Sequence, residues 1–202
     1  MAEALNTIVT GHVLIKDTST GEVLLDKYNA IHPKNMATAI ARGLSNSQNY
    51  QIFKLKLGNQ GTYIDASKQI VFRSPVVTGD TADLYNPTYV EVVDELDTSV
   101  GAGNSVVFTN IPSSTSTRVI VTAVISSNEA VNNPTDGGDG DSSLDPEGSY
   151  FFDELGLFTK QTDTNLLNGT GELMLSHLIF SPIEHTGNRE LTIVYTLTIS
   201  VS

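Results

Sequence analysis

The stretch that decides the fold is LTIVYTLTISV, residues 191 to 201. Its odd-numbered positions are all apolar, whereas its even-numbered positions carry threonine or serine apart from Val194. Because successive side chains of a strand point to opposite faces of a sheet, this alternation predicts a strand with one apolar and one hydroxylated face. The rest of the chain must supply strands that pair with it and a core that covers its apolar face.

Further strand-like runs are separated by residues typical of turns. The cluster DTSTG, residues 17 to 21, lies between two such runs and predicts an N-terminal hairpin over residues 7–27. Residues 52–57 alternate between apolar residues and lysines, so we expect a strand with Lys54 and Lys56 on a wet face. The run 118–126 is apolar on both faces, which indicates a central strand. The other predicted strands cover residues 70–73, 89–96, 106–111, 150–158 and 173–180.

One segment has helical periodicity. Pro33 suits the first turn of a helix, and apolar residues then recur at spacings of three and four as far as Leu44. The pattern predicts a helix over residues 33–44 that lies close against a sheet. Its apolar stripe is formed by Met36, Ala37, Ile40, Ala41 and Leu44.

Three stretches, residues 74–87, 97–105 and 132–148, have the composition of loops. The last contains DGGDGD at 136–141 and almost no apolar residues, which predicts a mobile acidic loop. We do not expect it to separate two domains, because the strands predicted within 150–201 need partners from the first part of the chain. The sequence therefore predicts one mainly β domain over residues 1–202, an antiparallel β-sandwich or barrel-like fold with one short helix and long polar loops.

The composition narrows the classes of function. The chain has 202 residues, no cysteine, and 11 basic against 23 acidic residues, which gives a formal charge of −12. The absence of cysteine removes disulfides, thiolate zinc sites and cysteine nucleophiles, and it suits assembly in a reducing cytoplasm. The acidic balance argues against direct nucleic-acid binding, which normally needs clustered cations. No stretch has the pattern of a leader or the length of a membrane span, so we expect a soluble protein.

The sequence predicts no catalytic, cofactor-binding or metal-binding residues. The histidines, His12, His32, His177 and His185, fall in a strand, at a helix start, in a strand and in a turn. No pair of them has the spacing of a helical metal site, and no Gly-x-Ser-x-Gly motif is present. We expect each histidine to be exposed or hydrogen-bonded within the fold.

Two pairs of adjacent carboxylates have the residue types of acid–base catalysis. They are Asp94-Glu95 and Asp153-Glu154. Neighbouring residues of a strand point to opposite faces, so neither pair converges on one site by itself. We expect both pairs to be solvent-facing charges beside a strand.

The aspartate-rich loop and the glycine runs do not match known ligand-binding patterns. In the calcium pattern that starts at Asp139, Leu144 replaces the required glycine and Tyr150 replaces the bidentate glutamate. Composition favours a solvated loop, and whether residues 136–147 bind a cation stays open. The runs 58–61 and 101–103 lack the features that follow a phosphate-binding glycine loop, so we interpret their glycines as turn residues.

Five segments resemble small structural proteins of contractile-tailed bacteriophages. They are NAIHPKNM (29–36), LGNQGT (57–62), FDELGL (152–157), LSHLIFSP (175–182) and NRELTIVYT (188–196). The segments come from both halves of the chain. The resemblance implies a virion protein without catalytic residues.

Residues and resemblance together predict a non-catalytic virion component of the neck, collar or tail. It would be assembled in the host cytoplasm, pack against other virion proteins and form a homo-oligomer without a cofactor. The long loops 74–87 and 132–148 motivate this hypothesis, because loops of that length usually have a use. Two alternatives stay open: a capsid decoration protein that clamps neighbouring capsid subunits, and, ranked lower, a carbohydrate-binding adhesion module with exposed aromatic residues.

Overall fold

A computed structural model describes residues 6–94, 103–112, 114–127 and 149–202. The predicted acidic loop 132–148, its candidate cation site, and Glu95 lie outside the described residues. Strands make up 54% of the structure, which confirms the prediction of a mainly β fold with one short helix.

The described residues form eleven strands and one helix. The first part of the chain contains β1 (Thr7–Asp17), β2 (Val23–Ile31), α1 (Pro33–Leu44), β3 (Ile52–Gly58), β4 (Thr62–Ile64), β5 (Ile70–Phe72) and β6 (Pro87–Val92). The second part contains β7 (Ser105–Asn110), β8 (Ser116–Ile125), β9 (Ser149–Thr159), β10 (Met174–Thr186) and β11 (Leu191–Val201). Within these ranges no helix has the length and apolarity needed to cross a bilayer.

Nine strands form one antiparallel sheet in the order β6-β3-β9-β10-β2-β1-β11-β8-β7. β11 pairs with β1 along its whole length, from Leu191 opposite Asp17 to Val201 opposite Thr7, and with β8 on its other side. β2 joins the two halves of the sheet, because it pairs first with β1 and then, through Ala30 and Ile31, with β10. The sheet curls into a half-barrel, and β4 and β5 form a separate hairpin.

The main core contains buried residues of β1, β3, β6, β8, β9, β10, β11 and α1, and a smaller buried cluster contains Leu84, Phe158 and Met174. The alternation predicted for β11 is confirmed from Leu191 to Leu197, where Leu191, Ile193, Tyr195 and Leu197 are buried, whereas the last four residues of the strand are half-buried on both faces. β8 has partners on both sides but lies next to the edge strand β7, and only Val121, Ala123 and Ile125, on one of its faces, are buried.

A buried asparagine brings the end strand β6 close to β8. The Asn104 side chain donates to the Glu91 carboxylate and to the Val92 carbonyl (2.8 Å), and it accepts from the Val124 amide (2.7 Å). Asn104 belongs to the stretch 97–105 that we predicted to be a surface loop, so the prediction is wrong at this residue. Its three hydrogen bonds explain how a polar side chain can be buried here.

The helix has the predicted bounds, but it packs through a different face. Its buried residues are Asn35, Met36 and Ala39, and the predicted stripe is otherwise exposed, most of all Leu44. Two polar anchors set this orientation: His32 caps the helix by accepting from the Asn35 amide, and the Asn35 side chain donates to the Met174 carbonyl (3.0 Å). The exposed stripe lines an open groove of about 440 Å³ beside Val9 and Ile31.

The lysine face of β3 is buried, which contradicts the expected wet face. Lys54 and Lys56 both pair with the Glu172 carboxylate, and Lys56 also pairs with Asp83 at 3.0 Å. Burial lowers the pKa of Lys54, and the nearby Glu172 opposes this effect. The prediction fails because Glu172 comes from residues 160–173 and Asp83 from the loop 74–87, and both segments fold back over this face.

Residues 74–86 of the predicted loop 74–87 have no strand or helix, whereas Pro87 begins β6, and the loop is bound to the sheet. The Val76 amide donates to His177 Nδ1 (2.9 Å), and the Leu84 side chain is buried against Phe158 and Met174. The loop is therefore held against the sheet of its own chain.

Candidate interaction surface

Five large apolar side chains are exposed on and beside the hairpin of β4 and β5. Tyr63, Ile64, Ile70, Phe72 and Phe151 are between 42% and 72% exposed, and we name them the hairpin surface. Ile64 lies opposite Ile70 and Thr62 opposite Phe72, so Ile64, Ile70 and Phe72 share one face of the hairpin. Grouped apolar residues of this size on a protein surface typically mark a site of interaction.

The turn of the hairpin is ordered by one carboxylate. Asp65 Oδ1 accepts from the amides of Ser67 (2.8 Å) and Gln69 (2.9 Å). The backbone of Asp65 also exchanges hydrogen bonds with Gln69 and Lys68, and Lys68 has a positive φ of 60°. The tip is therefore a local polar structure, and the apolar residues stand on the strands behind it.

The base of the hairpin is bound to β9 by a buried carboxylate. Asp153 accepts from the amides of Gly61 and Thr62, both at 2.8 Å, and from the Thr62 hydroxyl. The Arg73 amide donates to the Gly61 carbonyl (2.8 Å) and ties the other end of the hairpin to the same point. The hairpin is thus attached at its base to an internal strand of the large sheet.

The neighbouring carboxylate, Glu154, holds the adjoining loop. Its Oε1 accepts from the amides of Gln60 (3.4 Å) and Asn86 (2.9 Å), and its Oε2 accepts from the Tyr85 amide (2.9 Å) and from His177 Nε2 (3.1 Å). Because His177 Nδ1 accepts from the Val76 amide, the ring proton is on Nε2 and is donated to Glu154. Burial raises the pKa of Glu154, but the hydrogen bonds from His177, Tyr85 and Asn86 outweigh it and leave the pKa below its usual value.

Gly58 makes this arrangement sterically possible. A Cβ at this position would lie 2.5 Å from the Asn86 carbonyl oxygen and 2.5 Å from Glu154 Oε1. The first of these atoms belongs to the backbone and cannot move aside cheaply. Gly58 is the last residue of β3, so its role is close approach to Glu154 and Asn86 and not only the turn that we predicted.

Cations lie over the aromatic rings around the hairpin. The Arg73 guanidinium is 5.6 Å from the Tyr63 ring centre and 4.9 Å from that of Tyr85, and Lys27 Nζ is 5.6 Å from that of Phe72. Such cation–π contacts stabilise the ring positions. They also occupy one face of each ring.

A small depression lies between the hairpin and the large sheet. It has a volume of about 320 Å³, and Ile64, Ile70, Phe151 and Pro182 are among its lining residues. The hairpin surface is therefore not flat but contains a concave apolar part into which a partner's side chain could fit.

The structure places the four histidines apart from one another. His12 is half exposed and hydrogen-bonds to Asp26 (2.6 Å), while His32 caps the helix and bonds to the Gly79 carbonyl (3.0 Å). His177 is buried against Glu154, and His185 is buried within β10. The prediction of a turn at His185 is wrong because β10 continues, with a register shift between Ile179 and Ile183, to Thr186.

The expectation of solvent-facing carboxylate pairs is wrong for Asp94, Asp153 and Glu154, which are all buried. The run YFFDELGLF, residues 150–158, contained the missed signal. From Phe152 onward this strand is buried on both faces, as its apolar residues on both sides of the two carboxylates indicate, so the carboxylates must find donors inside the protein. Among the described residues, no group of three or more histidines or carboxylates could hold a metal ion.

Comparisons of the chain with protein-family models, with curated proteins and with solved structures found no match.

Proposed function

We propose that this protein is a non-catalytic structural component of a contractile-tailed phage virion, in the neck, collar or tail. The hairpin surface is the site at which it packs against another virion protein. The proposal is based on one observation: the exposed apolar surface is bound at its base to β9 by the Asp153 carboxylate, which accepts hydrogen bonds from the hairpin. A surface held in this way binds without a large loss of conformational entropy.

The buried carboxylates support a structural role for this region. A general acid or base needs a carboxyl group that can reach a substrate and whose pKa is near the working pH. Glu154 instead accepts four hydrogen bonds from its own chain, and its pKa is lowered. Three of its donors, Gln60, Tyr85 and Asn86, lie in two separate loops and the fourth, His177, lies in β10, so the carboxylate binds both loops to the sheet.

The resemblance to phage structural proteins coincides with this framework. The segment 57–62 contains Gly61 and Thr62, whose amides donate to Asp153 of the segment 152–157, and Gly58, which lies close to Glu154 of the same segment. Two other segments supply His32, Asn35 and His177. Three of the five segments, 57–62, 152–157 and 175–182, therefore contain residues that bind the hairpin or the adjoining loop to the sheet, whereas 29–36 anchors the helix and 188–196 belongs mainly to β11.

The hairpin surface favours a protein partner over a sugar. Carbohydrate-binding sites need open aromatic faces, whereas Tyr63 and Phe72 each have a cation over one face. The aliphatic residues Ile64 and Ile70 suit burial in a protein interface. The carbohydrate-binding alternative keeps its lower rank.

The test is incorporation into particles. A phage lacking the gene is complemented with the wild type or with the double variant Ile64→Thr/Ile70→Thr, which keeps β-branched side chains in the hairpin. We expect the wild type in purified virions and a variant level lower by about tenfold or more, the effect of losing roughly 1.4 kcal/mol of contact. Ile8→Thr, at an exposed isoleucine of β1, is the matched control and should be incorporated normally.

Two results would overturn the proposal. Absence of the wild-type protein from purified virions removes the virion function, and normal incorporation of the double variant removes the hairpin surface as the contact. Quantitative mass spectrometry of the same particles separates a neck or tail component from capsid decoration, because a decoration protein is present in many more copies.

A further inference from the structure

The edge strand β7 has no partner on its outer side among the described residues. It pairs with β8 from Ser105 opposite Thr122 to Asn110 opposite Thr117. In an antiparallel edge strand every second residue turns its N–H and C=O away from the sheet, and these groups are a template for another strand. Val107 and Phe108 are also exposed, at 46% and 62%, although they point to opposite faces.

β7 lacks the features that usually prevent an edge strand from pairing with another chain. Its sequence, SVVFTN, has no proline and no charged residue, and its register with β8 has no shift. The opposite end strand, β6, begins at Pro87, carries Glu91 and is almost wholly buried. The β6 edge is therefore protected against pairing with another chain, whereas the β7 edge can accept an added strand.

The distribution of charge favours a second copy of the same chain as the added strand. Two copies with a net charge of −12 repel each other over most of their surface. β7 and the strands next to it, β8 and β11, together carry one charged residue, Arg118. Copies can approach at this end of the sheet without bringing carboxylates of these strands together.

β7 is also complementary to itself. Two copies related by a two-fold axis perpendicular to the sheet run antiparallel, and directly opposite residues then lie on the same face. With the axis at Val107, this residue lies opposite Val107 of the second copy. Val106 then lies opposite Phe108, and Ser105 lies opposite Thr109. Each pair matches in polarity, and pairs of aromatic with β-branched residues are favourable across strands.

We propose that β7 is an interface between copies of this chain, in which β7 of a second copy adds antiparallel to the edge with Val107 at the two-fold axis. The inference deepens the proposed structural function, on which it rests, by naming one partner and its surface. Pairing through one short strand buries less surface than the roughly 1,000 Å² of a stable interface. The association is therefore weak in dilute solution and increases at high local concentration.

The test measures self-association of the purified full chain by sedimentation equilibrium, over a range of roughly 10 μM to 1 mM that suits a weak interface. We expect the wild type to dimerise and Val107→Lys to raise the dissociation constant by about tenfold or more, because two lysines then face each other across the axis. Leu44→Lys makes the same change of charge at an exposed leucine of α1 and should leave the constant unchanged. Thermal unfolding at low concentration checks that both variants are folded.

Amide hydrogen exchange locates the contact in the wild type. We expect alternate amides of β7 to gain protection as the concentration rises, with no such gain in Val107→Lys. A wild type that stays monomeric over the whole range, or a dimer that Val107→Lys leaves intact, overturns the interface. Both measurements use protein without phage, so their failure is distinct from absence of the protein from virions, which would overturn the proposed function.

Discussion

Replacing Glu154 with glutamine tests whether the buried carboxylate holds the scaffold together. The substitution keeps the size of the side chain but turns one of its two oxygens into an NH₂ group. Whichever oxygen is replaced, two donors lose their acceptor: the Gln60 and Asn86 amides at Oε1, or the Tyr85 amide and His177 at Oε2. The remaining bonds also lose the strength that the negative charge gave them.

The stability lost in Glu154→Gln can be estimated from the number of donors that lose their acceptor. Each buried donor without a partner costs about 1–3 kcal/mol, and neutral glutamine is cheaper to bury than a carboxylate, so we expect a net loss of about 3 kcal/mol. For a protein of this size that corresponds to a fall in Tm on the order of 10 °C. Urea unfolding at pH 7 measures the loss of free energy of unfolding. The matched control is Glu184→Gln at an exposed position of β10, for which we expect a loss of less than about 0.5 kcal/mol.

The pH dependence gives a second measurement on the same pair of proteins. Because hydrogen bonds hold the folded pKa of Glu154 below the unfolded value of 4.5, its stabilisation is full above that value and is lost as the pH falls through the folded pKa. The stability of the wild type should therefore decline more steeply below pH 4.5 than that of Glu154→Gln. A loss at pH 7 no larger than that of Glu184→Gln would refute the role assigned to Glu154.

Two further changes test the packing around β3 with matched controls. Gly58→Ala should destabilise by about 2 kcal/mol or more, because its Cβ would meet the Asn86 carbonyl, whereas Gly43→Ala in α1 meets nothing within 4 Å and should stabilise by about 0.5–1 kcal/mol. Equal effects in urea unfolding would contradict the close approach at Gly58. Lys56→Met should lower the free energy of unfolding by about 3–5 kcal/mol, because it leaves the Glu172 and Asp83 carboxylates without this cation. The control, Lys68→Met in the exposed hairpin turn, should change it by less than about 0.5 kcal/mol. A Lys56→Met protein as stable as the wild type would show that the buried pairing is dispensable.

The sequence identified most of the strands and the helix because their signals are local. The run 191–201 alternates at the period of a strand and has those bounds in the structure. Pro33 and the spacing of apolar residues likewise gave both ends of α1. The spacing of apolar residues and the residues that form turns involve positions close together in the chain, so a single sequence is enough to recognise them.

The face of an element that is buried could not be predicted so well. The stripe from Met36 to Leu44 looks like the packing face of α1, yet the hydrogen bonds of His32 and Asn35 turn the helix so that all of this stripe except Met36 is exposed. The partner of the Asn35 side chain is the Met174 carbonyl, which is far away in the chain. A periodic pattern ranks the faces of an isolated helix and contains no information about such distant partners.

The sequence analysis did not predict the hairpin surface, because exposure too depends on contacts between distant parts of the chain. The sequence by itself determined that the chain is mainly β, where most of its strands and its helix lie, and that β11 buries one face, but it missed β4 and ended β10 too early. Only the tertiary structure decided that Lys54, Lys56, Asp153 and Glu154 are inside and that Ile64 and Ile70 are outside. Whether a polar face is wet depends on the loops that fold over it, and the burial of a charge is stable only when donors or counter-ions from distant segments reach it.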